Sequence, residues 1–311
     1  APKSRRGYCG ALCLLLARDW RTIKYAGMTF IVQQVSTVLV ALVYGWFFAG
    51  KGVADRSPND APNCDNSNFN KNTCQALFSA HLAILSLVGI NISLSSLSMI
   101  SEALHRERAC FLRERAGGYY DVLPFFLTKQ VSEVLMAMLN SLLVLLGMYW
   151  IVGLQANFFV LFIELTLMAV ASASIGLVLS AAASSRETVT ALGLIPQVMQ
   201  FAFSGLLLPV TLIPSSLQWM KWICPLFYGL NILSLSEFSY VYKEEAMCKS
   251  SYGEAWRDHC PGTAASLDIL EVRDVHPNGF WWPYVGVCLL LSTVLRFIAY
   301  LTLVHKSRFA V

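Results

Sequence analysis

Long apolar runs separated by short polar segments alternate along most of this chain. A helix needs about 20 apolar residues to cross the hydrocarbon core of a bilayer, and this requirement predicts six spans. The predicted spans are Ala26–Ala49, Leu77–Ile100, Val122–Val152, Phe158–Ala183, Ala191–Pro209 and Trp282–Val304. An even number of spans returns the C-terminus to the side of the N-terminus. We therefore expect an all-α polytopic membrane protein.

Residues 1–25, before the first span, have the spacing of an amphipathic helix lying in the membrane interface. One face is apolar, and the other is basic because it carries Arg18, Arg21 and Lys24. The apolar face comprises Leu12, Leu15, Leu16, Trp20 and Ile23. Such a helix either connects a preceding cytosolic domain to the first span or is a simple interfacial anchor. Charges in this segment argue against a cleavable signal peptide, so we expect a cytosolic N-terminus.

The segment 212–235 does not fit a plain span. It is apolar, but Lys221, Pro225 and Gly229 interrupt it, and proline kinks or stops a helix. Its tryptophan and tyrosine residues suit the headgroup level. These features favour a re-entrant or interfacial hairpin. A seventh span is the alternative, and it would reverse the orientation of the final helix.

Charge is concentrated between the second and third predicted spans, in the segment 102–121. Four arginines occur there, in a chain of which only 14% is charged. Basic residues in short loops mark the cytoplasmic side of a membrane. The basic N-terminal segment, Arg186 and the basic tail fall on the same side, which leaves loops 50–76 and 237–282 outside. A helical segment with both charge signs on the cytoplasmic side is a candidate contact for a cytosolic partner.

Composition agrees with a membrane protein and narrows the possible functions. Hydrophobic residues make up 56% of the 311 residues, more than a soluble domain needs for its core. The net charge of +4 is small and lies near span ends, so the chain lacks the dense basic face of a nucleic-acid-binding protein. No phosphate-binding Gly-x-x-x-x-Gly-Lys-Ser/Thr loop, metal-ligand cluster or nucleophile elbow occurs. We expect no catalytic site and no metal site in this chain.

The nine cysteines divide by predicted side. Cys64 and Cys74 lie in the first external loop, and Cys248 and Cys260 lie in the last. Disulfides persist in that compartment, so two bridges within loops are the economical expectation. Pairing between subunits is the alternative, because spacing alone does not determine connectivity. The other cysteines are expected to be free small hydrophobes: Cys9, Cys13, Cys110, Cys224 and Cys288.

Four ionisable residues lie at membrane depth, where such groups are candidates for function. Lys129 and Glu133 are four residues apart, so we expect them to pair along one helix face or to take part in coupling. Glu164 is placed near the outer leaflet, facing a water-filled cavity. Arg296 is expected to extend toward the cytosolic headgroups.

Small and hydroxylated residues recur at helical spacing in two predicted spans. Ser172, Gly176 and Ser180 follow one another at intervals of four, and the second span is rich in serine. Small residues at this spacing allow close approach of helix backbones in lipid. We expect tight helix packing, with ligand contact as the alternative.

Several motifs together resemble the transmembrane domain of G-subfamily ABC half-transporters, and the resemblance covers nearly the whole chain. They are the basic helix around Leu16-Ala-Arg-Asp-Trp-Arg21, the segment Glu107–Tyr120, Tyr149-Trp-Ile-Val-Gly-Leu154, Phe203-Ser-Gly-Leu-Leu207 and Arg296-x-x-Ala-Tyr-Leu-x-Leu303. The resemblance implies six helices of the ABC-2 (type V exporter) kind. It also implies a connecting helix at 1–25, a transmembrane domain at 26–311, a coupling loop at 102–121 and a re-entrant segment at 212–235.

The resemblance also implies roles for individual residues. Ser95, Val198 and Phe201 fall at substrate-cavity positions, and Leu206 and Leu207 at a leucine gate. Coupling positions are Glu102, Glu107, Arg108, Phe111 and Glu114. Ser95 replaces a stacking phenylalanine of the family's multidrug member, so its aromatic clamp is not expected here.

The expected function is the membrane half of an ATP-driven exporter of amphipathic, lipid-like or drug-like molecules, working by alternating access at a dimer interface. ATP and magnesium belong to a nucleotide-binding domain outside this chain. The expected partners are that domain, a second half-transporter, membrane lipids and a hydrophobic substrate, with no nucleic acid. We expect a multi-pass protein of the plasma membrane with both termini cytosolic. The alternatives are a membrane scaffold or lipid-binding module, and an ion-coupled carrier.

Overall fold

Helices form all the regular secondary structure that the computed structural model describes, which comprises residues 8–25, 27–49, 64, 69–183, 185–205, 214–272 and 281–309. In chain order the helices are α1 (Tyr8–Tyr25), α2 (Gly27–Phe47), α3 (Lys71–Ala116), α4 (Val122–Val152), α5 (Phe158–Ala182), α6 (Arg186–Phe203), α7 (Pro225–Glu237), α8 (Ser239–Tyr252), α9 (Trp256–His259), α10 (Pro261–Val272) and α11 (Trp281–Phe309). Turns of 3₁₀ helix cover Gln218–Ile223 and Gly253–Ala255. The expected all-α class is confirmed.

Four helices in the described residues are long and apolar enough to cross a membrane: α3, α4, α5 and the Trp282–Ser307 part of α11. A shorter apolar stretch, Ile31–Phe47, forms most of α2. The predicted bounds of α4 are correct, and those of α5 are one residue too long. The predicted fifth span continues past α6 beyond the described residues. The total of six spans therefore stays a prediction.

α3 is a single helix of 46 residues that joins a predicted span to most of the predicted coupling loop. The apolar part ends near Ile100, and the helix continues without a break to Ala116. We call residues 102–116 the charged extension. Only residues 117–121 form a turn, which Gly118 makes at a φ of 72°. The expected helical segment is thus continuous with the span.

Polar side chains begin several helices by accepting a hydrogen bond from a first-turn backbone amide, which has no partner inside the helix. The capping residues are Asn70 for α3, Asp121 for α4, Asn157 for α5 and Ser185 for α6. At the other end of α4, Gly153 adopts the left-handed conformation with a φ of 81°. These caps explain why the boundaries of α4 and α5 can be predicted from the sequence.

α5 is central because it packs against α3, α4, α7 and α11. Its stripe of Ser172, Gly176 and Ser180 is buried. A Cβ atom added to Gly176 would lie 2.5 Å from the carbonyl oxygen of Leu97 in α3. The small residues therefore give the tight helix packing that the sequence predicts, and the structure shows that the partner is α3.

α7 is a buried helix of 13 residues within the segment predicted to be re-entrant. At 1.5 Å per residue it is about 20 Å long, which is shorter than the ~30 Å hydrocarbon core. Pro225 occupies its first turn. Trp219 and Trp222, in the preceding 3₁₀ turn, are exposed. The length argues against a seventh span, while residues 206–213 lie outside the described part.

Candidate functional site

A set of ionic contacts joins α1, the charged extension of α3 and the start of α4. We call it the junction and define it by Arg18, Asp19, Glu107, Glu114, Tyr120 and Lys129. α1 reaches it because one side of that helix, with Ala11 and Leu15, is buried in a cluster that includes residues of α3 and α4. The apolar face predicted for α1 therefore packs in part on the protein itself. Trp20, which was assigned to that face, is instead 66% exposed.

Lys129 is the centre of the junction. Its Nζ atom lies 2.8 Å from Oδ2 of Asp19 and 2.6 Å from Oε2 of Glu107. The hydroxyl of Ser132 donates a second hydrogen bond to Oδ2 of Asp19, at 3.1 Å. The side chains of Lys129 and Asp19 are each only 6% exposed. Burial of a charge at this depth requires a partner, so α4 depends on α1 for the neutralisation of its lysine.

Arg18 and Glu114 form the second part of the junction. Nη1 of Arg18 donates to both carboxylate oxygens of Glu114, at 3.1 and 2.9 Å, and the Tyr120 hydroxyl donates to the same carboxylate. Burial by itself would raise the pKa of Glu114, but the hydrogen bonds from Tyr120 and Arg18 outweigh it and lower the pKa below the ordinary value. Burial and the bond to Glu114 raise the pKa of Tyr120. The carboxylate is therefore held ionised.

An aromatic contact lies beneath these ion pairs. The ring of Phe111 is fully buried and stacks on Phe125 of α4, with centroids 4.3 Å apart and an interplanar angle of 16°. Tyr120 contacts Phe111 with a centroid distance of 6.2 Å. Aromatic pairs in this range contribute about 0.5–1.5 kcal/mol beyond their buried area. The charged extension is therefore fastened to α4 by apolar as well as ionic contacts.

The other two residues implied for coupling lie beside the junction. Arg108 projects to a different helix, where its Nη1 atom donates to the carbonyl oxygen of Ala183 at 2.5 Å. Lys306 of α11 donates to the carbonyl oxygen of Ala182. Cations are favourable at a helix C-terminus, so two helices clamp the end of α5. Glu102 lies on the wall of a cavity next to Glu107 and Lys129.

The expected pair between Lys129 and Glu133 is wrong. Lys129 binds α1 and the charged extension, whereas Oε1 of Glu133 accepts a hydrogen bond from Nη2 of Arg296 at 2.6 Å. Arg296 also donates through Nε to the hydroxyls of Ser174 and Ser292. The expectation that Arg296 extends toward the headgroups is therefore also wrong. It links α4, α5 and α11 inside the helix bundle.

Glu164 and Glu237 are buried carboxylates with partners of their own. Glu164, expected to face water, is 3% exposed and accepts a hydrogen bond from Ser236. Glu237 accepts from the backbone amides of Gln155 and Ala156, at 2.7 and 3.0 Å. Nε2 of the buried His81 lies 2.8 Å from Oε1 of Glu237. This contact holds the end of α7 against α3 and the turn between α4 and α5.

The residues implied for a substrate cavity lie on two neighbouring helices. Ser95 belongs to α3, and Val198 and Phe201 belong to α6, which packs against α3. Val198 is 65% exposed. The hydroxyl of Ser95 donates to the carbonyl oxygen of Ile92 in its own helix. Leu206 and Leu207, the implied leucine gate, lie outside the described residues.

A cavity of about 410 Å³ lies among α1, α2, α3 and α4. One part of its wall carries charges of the junction, including Asp19, Glu107 and Lys129. The remainder includes the charged side chains of Glu102, Arg106 and Glu133, together with polar and apolar side chains of all four helices. None of Ser95, Val198 and Phe201 lines it. The cavity is therefore distinct from the positions that the resemblance implies for substrate.

Both disulfides within loops are present, Cys64–Cys74 and Cys248–Cys260. The other cysteines are free, as expected. The second bridge ties α8 to the residue that precedes α10. Within the described part of the chain, no group of three or more His, Cys, Asp or Glu residues has the arrangement of a metal site.

The sequence does not reveal two buried contacts. Asp19 lies between two basic residues, and nothing in this local pattern points to its partner, Lys129, which is 110 residues away. The contact between His81 and Glu237 was not foreseen. Its members are 156 residues apart, and no local pattern relates them.

Comparison with known proteins identifies a family. The ABC-2 type transporter family matches residues 10–238, which contain most of α1, all of α2 to α7 and therefore the whole junction.

Individual relatives match almost the whole chain at low identity. The broad substrate specificity ATP-binding cassette transporter ABCG2 of Bos taurus is 25% identical over 97% of this chain and 43% of its own length. ABC transporter G family member 1 of Dictyostelium discoideum is 21% identical over 95% of this chain and 35% of its own length. Protein white of Drosophila melanogaster is 25% identical over 94% and 39%. The chain thus spans less than half the length of these relatives.

Proposed function

The chain belongs to the ABC-2 type transporter family, and from this premise we propose that it is the membrane-spanning half of an ATP-driven exporter. In this proposal it joins a nucleotide-binding domain, its own or a partner's, and dimerises with a second half-transporter. ATP and Mg²⁺ bind to the nucleotide-binding domain. The chain itself supplies the path for an amphipathic, lipid-like or drug-like molecule through a cavity at the dimer interface, by alternating access.

The observation that carries the proposal is the junction. A transporter driven from outside the membrane needs a rigid connection between the driven surface and the spans. Here, Lys129 of α4 is bound to Asp19 of α1 and Glu107 of the charged extension. Phe111 is buried against Phe125 in the same region. We propose that movement imposed on the charged extension is transmitted to α4 through these contacts.

The proposed roles divide along the chain. Glu102, Glu107, Arg108, Phe111 and Glu114 couple ATP-driven movement to the spans. Residues Ser95, Val198 and Phe201 line the substrate path, and Leu206 and Leu207 close it. The exposure of Val198, at 65%, supports an interface on α6, because a large apolar side chain exposed in one subunit is available to a second copy. In this proposal the protein lies in the plasma membrane, with both termini in the cytosol.

The test uses the full-length protein in proteoliposomes, with a short-chain fluorescent phospholipid as the transported probe. Glu107→Ala and Phe111→Ala are expected to leave the dimer intact and to abolish the stimulation of ATP hydrolysis by the probe. Phe111→Ala also removes a buried ring, which costs about 3–5 kcal/mol, so Glu107→Gln serves as the variant of conserved volume. Phe159→Ala, which changes a ring that is 72% exposed and outside the junction, is the matched control.

Two results would overturn the proposal. Transport of the phospholipid at the same rate without ATP would remove the energy source. Stimulation of ATP hydrolysis that stays unchanged in Glu107→Gln and Phe111→Ala would remove the coupling role of the charged extension.

A further inference from the structure

Three buried polar atoms on the wall of the cavity among α1, α2, α3 and α4 have no hydrogen-bond partner among the residues that the structure describes. They are Oγ of Ser96, Oε2 of Glu133 and Oδ1 of Asn140. The three residues are 6%, 7% and 4% exposed, respectively. Buried polar groups in proteins are almost always hydrogen-bonded, and leaving such a bond unmade is unfavourable. Orphaned atoms on one cavity wall therefore point to a ligand that would satisfy them.

The chemistry of these atoms selects the ligand. Oδ1 of Asn140 accepts hydrogen bonds and cannot donate them. Oε2 of Glu133 belongs to a carboxyl group that is paired through its other oxygen with the guanidinium of Arg296. The amide nitrogen of Asn140 is already directed to the sulfur of Met99, at 3.4 Å. A primary ammonium group offers three donors and no acceptor. Hydrogen bonds between an ionised donor and a carboxylate are about twice as strong as neutral ones.

The cations on the wall do not oppose an ammonium group at this position. Lys129 is engaged by Asp19 and Glu107. Arg106 is exposed and lies ten residues along α3 from Ser96, a distance of about 15 Å in a helix. Glu133 and Asn140 are seven residues apart, two turns along one face of α4, or about 10 Å. Acceptors this far apart cannot share one ammonium group, so the group fits at Asn140, which contacts Met99, one turn from Ser96 in α3. This end of the wall is remote from Arg106.

Apolar side chains complete the wall near Asn140. Met99, Ile100, Met136 and Ala137 all line the cavity. Methionine adapts its shape to varied apolar partners. The volume of about 410 Å³ falls within the range of small-molecule sites, which is roughly 300–1,000 Å³. The cavity therefore offers an acceptor-rich end for a polar head and an adaptable surface for an apolar body.

We propose that each copy of this chain carries, within its own α1–α4 cavity, a binding site for a protonated amine attached to an apolar body, with the ammonium group bound at Asn140 and Ser96 and the carboxylate of Glu133 about 10 Å away on the same wall. The site is separate from the transport path proposed above, because none of Ser95, Val198 and Phe201 lines it. The amine belongs either to a lipid headgroup or to a soluble amphiphile, and both share this chemistry.

The test is photolabelling of the full-length protein in phosphatidylcholine nanodiscs, with mass-spectrometric mapping of labelled peptides. The probe is dodecylamine with a diazirine in its chain, and dodecanol with the same diazirine is the comparison. We expect saturable labelling by the amine of peptides that contain Ser96–Ile100 and Met136–Asn140, at least tenfold above labelling by the alcohol. Binding is measured without ATP, so failure of the proposed transport function would not affect the result.

The decisive variant is Asn140→Leu, which removes the acceptor and keeps an apolar side chain of similar size. It is expected to reduce labelling at least fivefold. Asn231→Leu is the matched control, because Asn231 is also 4% exposed and also has an unpartnered side-chain atom, but it does not line the cavity. Its labelling is expected to stay within twofold of the parent. Ser96→Ala, which removes one hydroxyl without adding volume, is the second variant in case Asn140→Leu does not fold. It is expected to reduce labelling by less than Asn140→Leu.

Each remaining outcome has a defined meaning. Competition by phosphatidylethanolamine added to the nanodiscs supports the proposal and identifies a headgroup amine as the occupant. Labelling that persists in phosphatidylethanolamine supports it and identifies a soluble amphiphile. Equal labelling by amine and alcohol overturns the assignment of an ammonium ligand. Labelling that is absent from both peptides, or that is unchanged in both Asn140→Leu and Ser96→Ala, overturns the site.

Discussion

Replacement of Lys129 by methionine is the sharpest test of how α1 is held to the spans. The substitution conserves the length of the side chain and removes its charge. Asp19, whose side chain is 6% exposed, would keep only its bond from Ser132. Loss of one member of a buried ion pair costs about 3–5 kcal/mol, because the remaining charge stays desolvated. Glu107 adds less, since its side chain is 21% exposed.

Two measurements follow from this magnitude. One kcal/mol shifts the melting temperature by about 2–4 °C for 150–250 residues and by less for larger proteins, so a loss of 3 kcal/mol should lower it by no more than about 6–12 °C. If α1 opens locally, its backbone amides exchange hydrogen roughly 100-fold faster, because each 1.4 kcal/mol is a factor of ten. Hydrogen exchange with mass spectrometry, on the full-length protein in nanodiscs, resolves α1 from the remainder of the chain.

The controls separate a buried pair from a surface pair. Lys249 also pairs with a glutamate, Glu245, at 2.5 Å, but its side chain is 53% exposed. Lys249→Met is therefore expected to cost less than about 1 kcal/mol. The double variant Lys129→Met with Asp19→Asn removes both charges and should recover part of the loss. Unchanged exchange in α1 and an unchanged melting temperature in Lys129→Met would refute the reasoning.

Three further predictions concern packing, crosslinking and pH. Gly176→Ala should lower the free energy of unfolding by about 1–3 kcal/mol, because the new Cβ would lie 2.5 Å from a backbone oxygen of α3; Gly286→Ala, with open space around it, should not, and equal melting temperatures would contradict this packing. Loss of the Cys248–Cys260 bridge by Cys260→Ser should cost up to about 3 kcal/mol through loop-closure entropy. This cost is measured as a lower melting temperature in the absence of reductant. Since the variant no longer has this bridge, reductant cannot lower its melting temperature by breaking it. The pKa of Glu114 is depressed, so its charge stabilises the folded state at pH values above the ordinary carboxyl pKa of 4.5, and this contribution disappears as the pH falls through the lower pKa of the folded state. The difference in melting temperature between the parent and Glu114→Gln should therefore shrink on acidification. A difference that stays constant would count against the role of that charge.

Helix positions were predictable because they depend on local patterns. α4 and α5 begin at capping residues, Asp121 and Asn157, and consist of apolar runs of membrane length. Tight packing of α5 was also predictable, since its small residues recur at intervals of four on one face, but the identity of its partner, α3, was not. The two disulfides within loops followed from the predicted sides of the membrane.

Contacts between helices were not predictable from the same patterns. Lys129 and Glu133 are neighbours on one helix, and the sequence favours their pairing for that reason. Their partners in the structure come from α1, the charged extension and α11, at separations that reach 163 residues. Hydropathy determines where a span lies but not how it is rotated against its neighbours. The resemblance to a family implied the coupling and cavity positions. The partner of each of these residues depends on how its helix is rotated about its own axis.

The length of α3 has a mechanical consequence. With 46 residues and a rise of 1.5 Å each, the helix is about 69 Å long, more than the ~45 Å thickness of a bilayer with its headgroups. In the proposed exporter, the two ends of this helix lie on opposite sides of the membrane and the helix acts as a lever. A tilt of roughly 5° about its midpoint displaces each tip by about 3 Å, since the helix is a stiff rod of fixed length. One tip carries Phe111 and Glu114, and the other is joined at Cys74 by a disulfide. On this proposal, displacement of the first tip also moves the disulfide-bonded end, without any change in the helix itself.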